Sequence, residues 1–151
     1  MAKTTTVSWT GESLYHTKIQ SGKHTFYADE PIESGGTDKA PTPVQMTLGA
    51  LGACVVITIK MYLDRKNWTF SSLDVDVTTQ VDKIENAAPL SEPERKLVVF
   101  GRLRRIHKVI RIKGNFTEEQ LTKIRDIGSK CPVNKMLSAS SYITDEIQLI
   151  D

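Results

Sequence analysis

Two side chains of the 151 carry sulfur nucleophiles, Cys54 and Cys131. A thiol attacks only as thiolate, and its pKa falls at a helix N-terminus or beside a cation. Cys131 meets the first condition on paper. Pro132 interrupts the preceding helical pattern and suits the first position of a new helix, so Cys131 becomes an N-cap whose sulfur lies near unpaired N–H groups. Lys130 and Lys135 add charge nearby, with open water as their simpler destination. Cys54 lies mid-helix among apolar residues, where a small buried hydrophobe with a raised pKa is the plain alternative. The two are far apart in sequence, and a bridge between them requires Cα atoms within roughly 7 Å, which spacing cannot supply.

Other chemistries find little purchase. His16, His24 and His107 have no ligand spacing with either cysteine and there is no CxxC, so no metal is expected and no cofactor is implied. No nucleophile-elbow motif accompanies any serine. Gly35-Gly36 lacks the strand-to-helix fingerprint of a phosphate cradle and reads as a tight turn. Arg102, Arg104, Arg105, Lys108, Arg111 and Lys113 lack interleaved aromatics and belong to a chain of net charge +2, so a solvated strand face is expected and not a nucleic-acid surface. Thr42 to Ile59 carries no charge, but its Thr, Gln, Pro and Gly residues favour a buried core helix over a membrane span. The N-terminal Met1 to Thr6 lacks an apolar signal core, which makes the cytoplasm the expected compartment. There a permanent disulfide is unusual, and two cysteines are too few for a disulfide scaffold. With 39% hydrophobic and 25% charged residues, a single globular domain spanning 1–151 is expected.

The elements that must position the sulfurs follow from periodicity. Thr5, Val7 and Trp9 alternate with polar neighbours, Ser21-Gly22-Lys23 reads as a turn, and His24, Phe26 and Ala28 share a strand face. Asp29 to Pro41 is a Gly-, Pro- and acid-rich loop. Thr42-Pro43-Val44-Gln45 starts a helix with a capping box and proline at N1, running to about Lys66. Met46, Leu48, Leu51, Val55, Ile57, Ile59, Met61 and Leu63 make it apolar nearly all round, and Gly49, Ala50, Gly52 and Ala53 admit a close neighbour, so a partner subunit is expected to help cover it. Leu73 to Val81 alternates as a half-buried strand. Ile84 to Lys96 reads as a loop, and Leu97 to Lys113 as a long, bent or bulged strand with Ile106, Ile110 and Ile112 on one face. Thr117 to Gln120 opens a helix whose Leu121, Ile124, Ile127, Gly128 and Cys131 recur at helical spacing, turning Cys131 toward the core. Val133 to Ser138 restarts as a short helix, and Tyr142 to Ile150 reads as a closing strand.

Several segments together resemble the OsmC/Ohr family, in its general OsmC-like branch. They are Ala28-Asp29-Glu30-Pro31, Gly35-Gly36, Pro41-Thr42-Pro43, Leu48-Gly49-Ala50-Leu51-Gly52-Ala53-Cys54, Thr117-Glu118-Glu119-Gln120-Leu121 and Lys130-Cys131-Pro132-Val133. The similarity extends from about residue 24 to the C-terminus. It implies an α+β fold built as an intertwined homodimer, with curved antiparallel sheets around long central helices and active sites at the dimer interface. It also implies thiol-dependent reduction of organic hydroperoxides, with Cys54 as peroxidatic cysteine and Cys131 as the resolving one, recycled by an external dithiol reductant. Family members with strong peroxidase activity carry a Glu after the helix-opening proline and an Arg from the N-terminal strands. This sequence has Val44 and Gln45 after Pro43 and no arginine before Arg65. Gln45 and Glu30 are therefore the activating candidates, with Lys18, Lys23 or a distant arginine as substitute cations. A redox-sensing or ligand-binding dimer with little turnover is the alternative on the same fold.

Overall fold

The structure is a computed structural model that describes residues 4–139 and 143–149. Its chain divides into two compact units, Met1–Ala50 and Leu51–Asp151, with the division inside the long helix.

The first unit holds three short strands, β1 (Thr5–Trp9), β2 (Thr17–Ser21) and β3 (His24–Ala28), paired antiparallel in sequence order. The β2–β3 register sets Ser21 opposite His24, and Gly22 takes the positive φ (58°) that the intervening turn requires. Within the chain these strands bury little: Val7, Trp9 and Phe26 stay exposed.

The loop that follows is organised around one buried carboxylate. Asp29, 1% exposed, accepts hydrogen bonds from the backbone N–H of Glu30 (2.9 Å), Thr37 (3.1 Å) and Lys39 (3.3 Å) and from the Thr37 hydroxyl (2.5 Å). These bonds lower its pKa from the usual 3.8 to about 2, the Thr37 hydroxyl most strongly and burial opposing. A 3₁₀ turn at Ile32–Ser34 closes on Gly35, whose φ of 88° suits glycine alone. Gly36 follows because a Cβ there would lie 1.8 Å from the Glu30 carbonyl oxygen. The tight turn expected of this glycine pair is thus a turn wrapped round Asp29.

Helix α1 (Pro43–Lys66) begins with the expected capping box. The Gln45 N–H donates to Thr42 Oγ1 (3.2 Å), and the Thr42 N–H donates to Gln45 Oε1 (2.8 Å). It ends in a Schellman arrangement: Asn67 turns to φ 54° and the Trp68 N–H donates to the Leu63 carbonyl (3.0 Å).

In the second unit β4 (Ser72–Lys83) and β5 (Arg102–Lys113) form a two-stranded antiparallel ribbon, with Ser72 opposite Lys113 and Lys83 opposite Arg102. One α1 stripe, Leu51, Val55, Ile59 and Leu63, is buried and packs with Leu73, Val75, Val77, Ile110 and Ile112 of the ribbon. Each such side chain contributes about 1.5–3 kcal/mol when fully buried. Gly52 lets the helix sit close, since a Cβ there would meet Val77 at 3.3 Å. Helix α3 (Glu118–Ser129) opens with its own capping box at Thr117 and adds Ile124 to the same cluster, and α4 (Pro132–Ser138) follows at once.

Three expectations need correction. Ile84–Lys96 is not all loop, because Ser91 caps a short helix α2 (Glu92–Lys96), with Pro93 in its first turn where a missing N–H costs nothing. The last long strand starts at Arg102 and not at Leu97: the chain turns through Phe100 and Gly101, both at positive φ, and the twelve β4–β5 pairs then run in step without a bulge. The closing strand is absent over residues 143–149, where Ile147 and Leu149 are almost fully exposed, while Tyr142 and Ile150 lie outside the described residues. Among the described residues this stretch pairs with neither sheet. The mixed helices and antiparallel sheets are the expected α+β class.

Asp29 predicts a pH signature. A carboxylate whose folded pKa lies below its unfolded value adds stability above the unfolded value and loses it as pH falls through the folded one. Urea midpoints should therefore drop between about pH 4 and pH 2, and Asp29→Asn should flatten that part of the curve while lowering the midpoint at neutral pH.

Candidate functional site

The site is built where α1, β5 and the α3–α4 junction meet. Helix α3 cannot continue through Pro132, which lacks the N–H and forces Cys131 into extended backbone (φ −63°, ψ 145°). Cys131 thereby caps α4, and its sulfur accepts the Asn134 backbone N–H at 3.3 Å. It is fully buried and belongs to the core cluster with Leu51, Val55, Ile59 and Ile124. Cys54, one residue before Val55 on α1, is half-buried and packs against that cluster.

The fold therefore brings the two cysteines together. Both are free thiols, and Cys54 packs against the buried cluster that holds Cys131. Burial pushes the Cys131 thiol above its ordinary pKa, and the Cys54 sulfur adds to the rise. Two groups pull the other way, the Asn134 N–H and the positive charge of Lys108. Cap position alone, as expected from sequence, does not decide the matter, because desolvation outweighs it.

Lys108 is the site residue that sequence reasoning passed over. It was grouped with the basic strand residues expected to face solvent, yet it pairs with Val77 and shares the parity of Ile106, Ile110 and Ile112, the apolar set. That parity is a signal readable in the sequence. Its half-buried ammonium donates to Asn134 Oδ1 at 2.5 Å. The neighbouring arginines are occupied differently: Arg105 pairs with Asp82 (2.8 Å) and Glu94 (2.5 Å), and Arg111 grips Asp76. Glu94 is lowered to about 2 by the Ser91 hydroxyl first and Arg105 second.

The activating candidates Gln45 and Glu30 have these contacts. Gln45 spends its side-chain oxygen on the Thr42 N–H in the helix cap, and Glu30 lends its carbonyl to the Asp38 N–H in the Asp29 loop. Both belong to the first unit, whereas the two cysteines belong to the second. A cavity of about 470 Å³, which neither cysteine lines, shares Lys108 and Asn134 with the site and mixes apolar Leu51, Leu103 and Leu137 with charged Glu94, Arg104 and Arg105. Among the described residues no cluster of three His, Cys, Asp or Glu side chains could hold a metal.

The α+β chain that carries these cysteines resembles known proteins in family and in fold. The OsmC-like protein family matches residues 36–145, most of the chain, and the chain belongs to that family. Solved structures share the fold at low identity. A protein from Psychrobacter arcticus described as a putative osmotic stress induced and detoxification response protein is 17% identical, with 89% of this chain and 88% of that one covered and a TM-score of 0.66. An OsmC-like protein from Mycoplasma pneumoniae is 19% identical over 91% and 87% (TM-score 0.63). An organic hydroperoxide resistance protein OsmC from Legionella pneumophila is 14% identical over 91% and 89% (TM-score 0.61). A comparison with curated proteins finds no match.

Different burial of the two sulfurs predicts different reactivity. A neutral alkylating reagent applied to the reduced native protein should label Cys54 on the order of tenfold faster than Cys131. Peptide mapping by mass spectrometry reads the two rates, and unfolding in denaturant should make them equal.

Proposed function

We propose that the protein reduces organic hydroperoxides with its two cysteines, as a cytoplasmic homodimer. The single observation that carries this reading is the juxtaposition of Cys54 and Cys131, brought from distant parts of the chain to one apolar pocket. Membership of the OsmC-like family and the hydroperoxide-resistance description of a fold neighbour support a peroxide-related redox role.

The Cys54 thiolate attacks the terminal oxygen of ROOH; the O–O bond breaks, the sulfur becomes a sulfenic acid, and the alkoxide takes a proton to leave as alcohol. Cys131 then attacks the sulfenic sulfur, forming the disulfide as the S–O bond breaks and water departs. An external dithiol reduces the disulfide by exchange and is itself oxidised. Partly exposed Cys54 suits the first contact with peroxide, and buried Cys131 suits the internal step. The apolar part of the nearby cavity wall, Leu51, Leu103, Ile106 and Leu137, suits the organic part of the substrate.

Homodimerisation rests on α1. Gly49, Ala53, Ile57 and Met61 recur along one exposed helix face, with Ile57 58% and Met61 62% exposed, a pattern that small residues and large apolar ones make when a second helix packs there. Light scattering should give twice the 16.9 kDa chain mass, and Ile57→Asp should reduce it to the single-chain value.

Consumption of an organic hydroperoxide with excess dithiol tests the activity. Wild type should turn over repeatedly, Cys54→Ser should lose about a hundredfold or more, and Cys131→Ser should complete one turnover and then slow. Equal rates in all three overturn the reading. A sensing dimer is the second reading, favoured by Gln45 being tied to the helix cap in a chain with no arginine before Arg65. It predicts oxidation of Cys54 without sustained cycles.

A further inference from the structure

We propose that Lys108 is the positioning residue of the cysteine pair, holding Asn134 over the Cys131 sulfur and supplying the positive charge that favours its thiolate. The proposal deepens the thiol-peroxidase reading, on which its consequence for turnover rests.

Three observations carry it. Lys108 sits on the apolar face of β5, opposite Val77, where strand parity calls for a hydrophobic residue and an ammonium costs desolvation. Its one hydrogen bond among the described residues goes to a neutral amide, Asn134 Oδ1 (2.5 Å), and no carboxylate lies within ion-pair distance, so its charge is not cancelled locally. The residue it holds is the one whose backbone N–H reaches the Cys131 sulfur at 3.3 Å. Asn134 thus ties β5 to the start of α4, its side-chain oxygen held by the Lys108 ammonium and its backbone N–H on the Cys131 sulfur.

The groups facing Cys131 are few. Helix α1 presents Cys54, β5 presents Lys108, and the other partners in its cluster, from β4 and α3, are apolar. On its own stretch of chain, Lys130 is paired with Asp126 at the surface (2.6 Å) and Lys135 is exposed. Lys108 is thus the cation set against the desolvation and the Cys54 sulfur that keep the Cys131 proton on. In the proposed cycle the Cys131 sulfur forms the S–S bond with the Cys54 sulfenic sulfur while the S–O bond breaks, and the released hydroxide takes up a proton as water. A larger thiolate fraction at Cys131 speeds that step.

The test uses the full chain in a Cys54→Ser background, so that thiolate absorbance near 240 nm reports Cys131 alone, titrated without any hydroperoxide. Lys108→Met should move the midpoint upward and leave on the order of threefold less thiolate at a fixed pH below it, the effect of losing a unit charge several ångströms away in a largely hydrated site. Lys108→Arg should restore most of the loss. Asn134→Ala, which unties the ammonium from α4, should shift the midpoint in the same direction and serves if Lys108→Met does not fold. Unchanged midpoints in the folded variants overturn the proposal. Because no peroxide enters the titration, a chain that fails to turn over hydroperoxide can still pass it, and the two failures stay separate.

Discussion

The close approach of α1 to the β4–β5 ribbon is the constraint on which the second unit depends. Gly52 has no side chain to hold the helix away from Val77, and Leu51, Val55, Ile59 and Leu63 fill the space that approach creates. Gly128 repeats the device on α3, where a Cβ would lie 3.2–3.3 Å from Ile110, Ile59 and Val55. With both helices seated, the residue after the glycine-rich turn of α1 and the residue before Pro132 have little choice of neighbour. The cysteine pair is a consequence of this packing, not a local motif, and a larger residue at position 52 or 128 would separate the sulfurs before it touched either one.

The same packing explains why the two sulfurs differ. Desolvation in the core keeps the Cys131 proton in place, and the N-cap contact from Asn134 relieves only part of that cost. Cys54 lies at the edge of the buried stripe and stays partly accessible to solvent. In the proposed cycle the more accessible Cys54 is the sulfur that meets peroxide, and the buried Cys131 is shielded from direct oxidation.

Much of this was legible in the sequence where local rules agree with the fold. Both long-helix capping boxes, the proline break at Pro132 and the alternation of β4 are each set within a few residues, and the structure keeps them. Misreadings arose where a residue's local meaning depends on position within an element. Pro93 suggested a loop but occupies the first turn of α2, where proline is welcome. Lys108 looked like one more solvated base until its pairing with Val77 placed it on the inner face. Ile143 to Leu149 had the alternation of a strand, and no sheet edge in the single chain takes it up. The meeting of Cys54 and Cys131 could not be derived from spacing at all, since it is fixed by tertiary contacts; family resemblance anticipated it where periodicity was silent.

The proposed chemistry requires the two cysteines to act as one unit within a single chain. Its most direct test is non-reducing peptide mapping after the reduced protein meets one equivalent of an organic hydroperoxide. A Cys54–Cys131 linked peptide pair is expected, with the linkage confined to one chain. Oxidation of Cys54 to sulfinic acid without that linked pair, or links found only between chains, would contradict it.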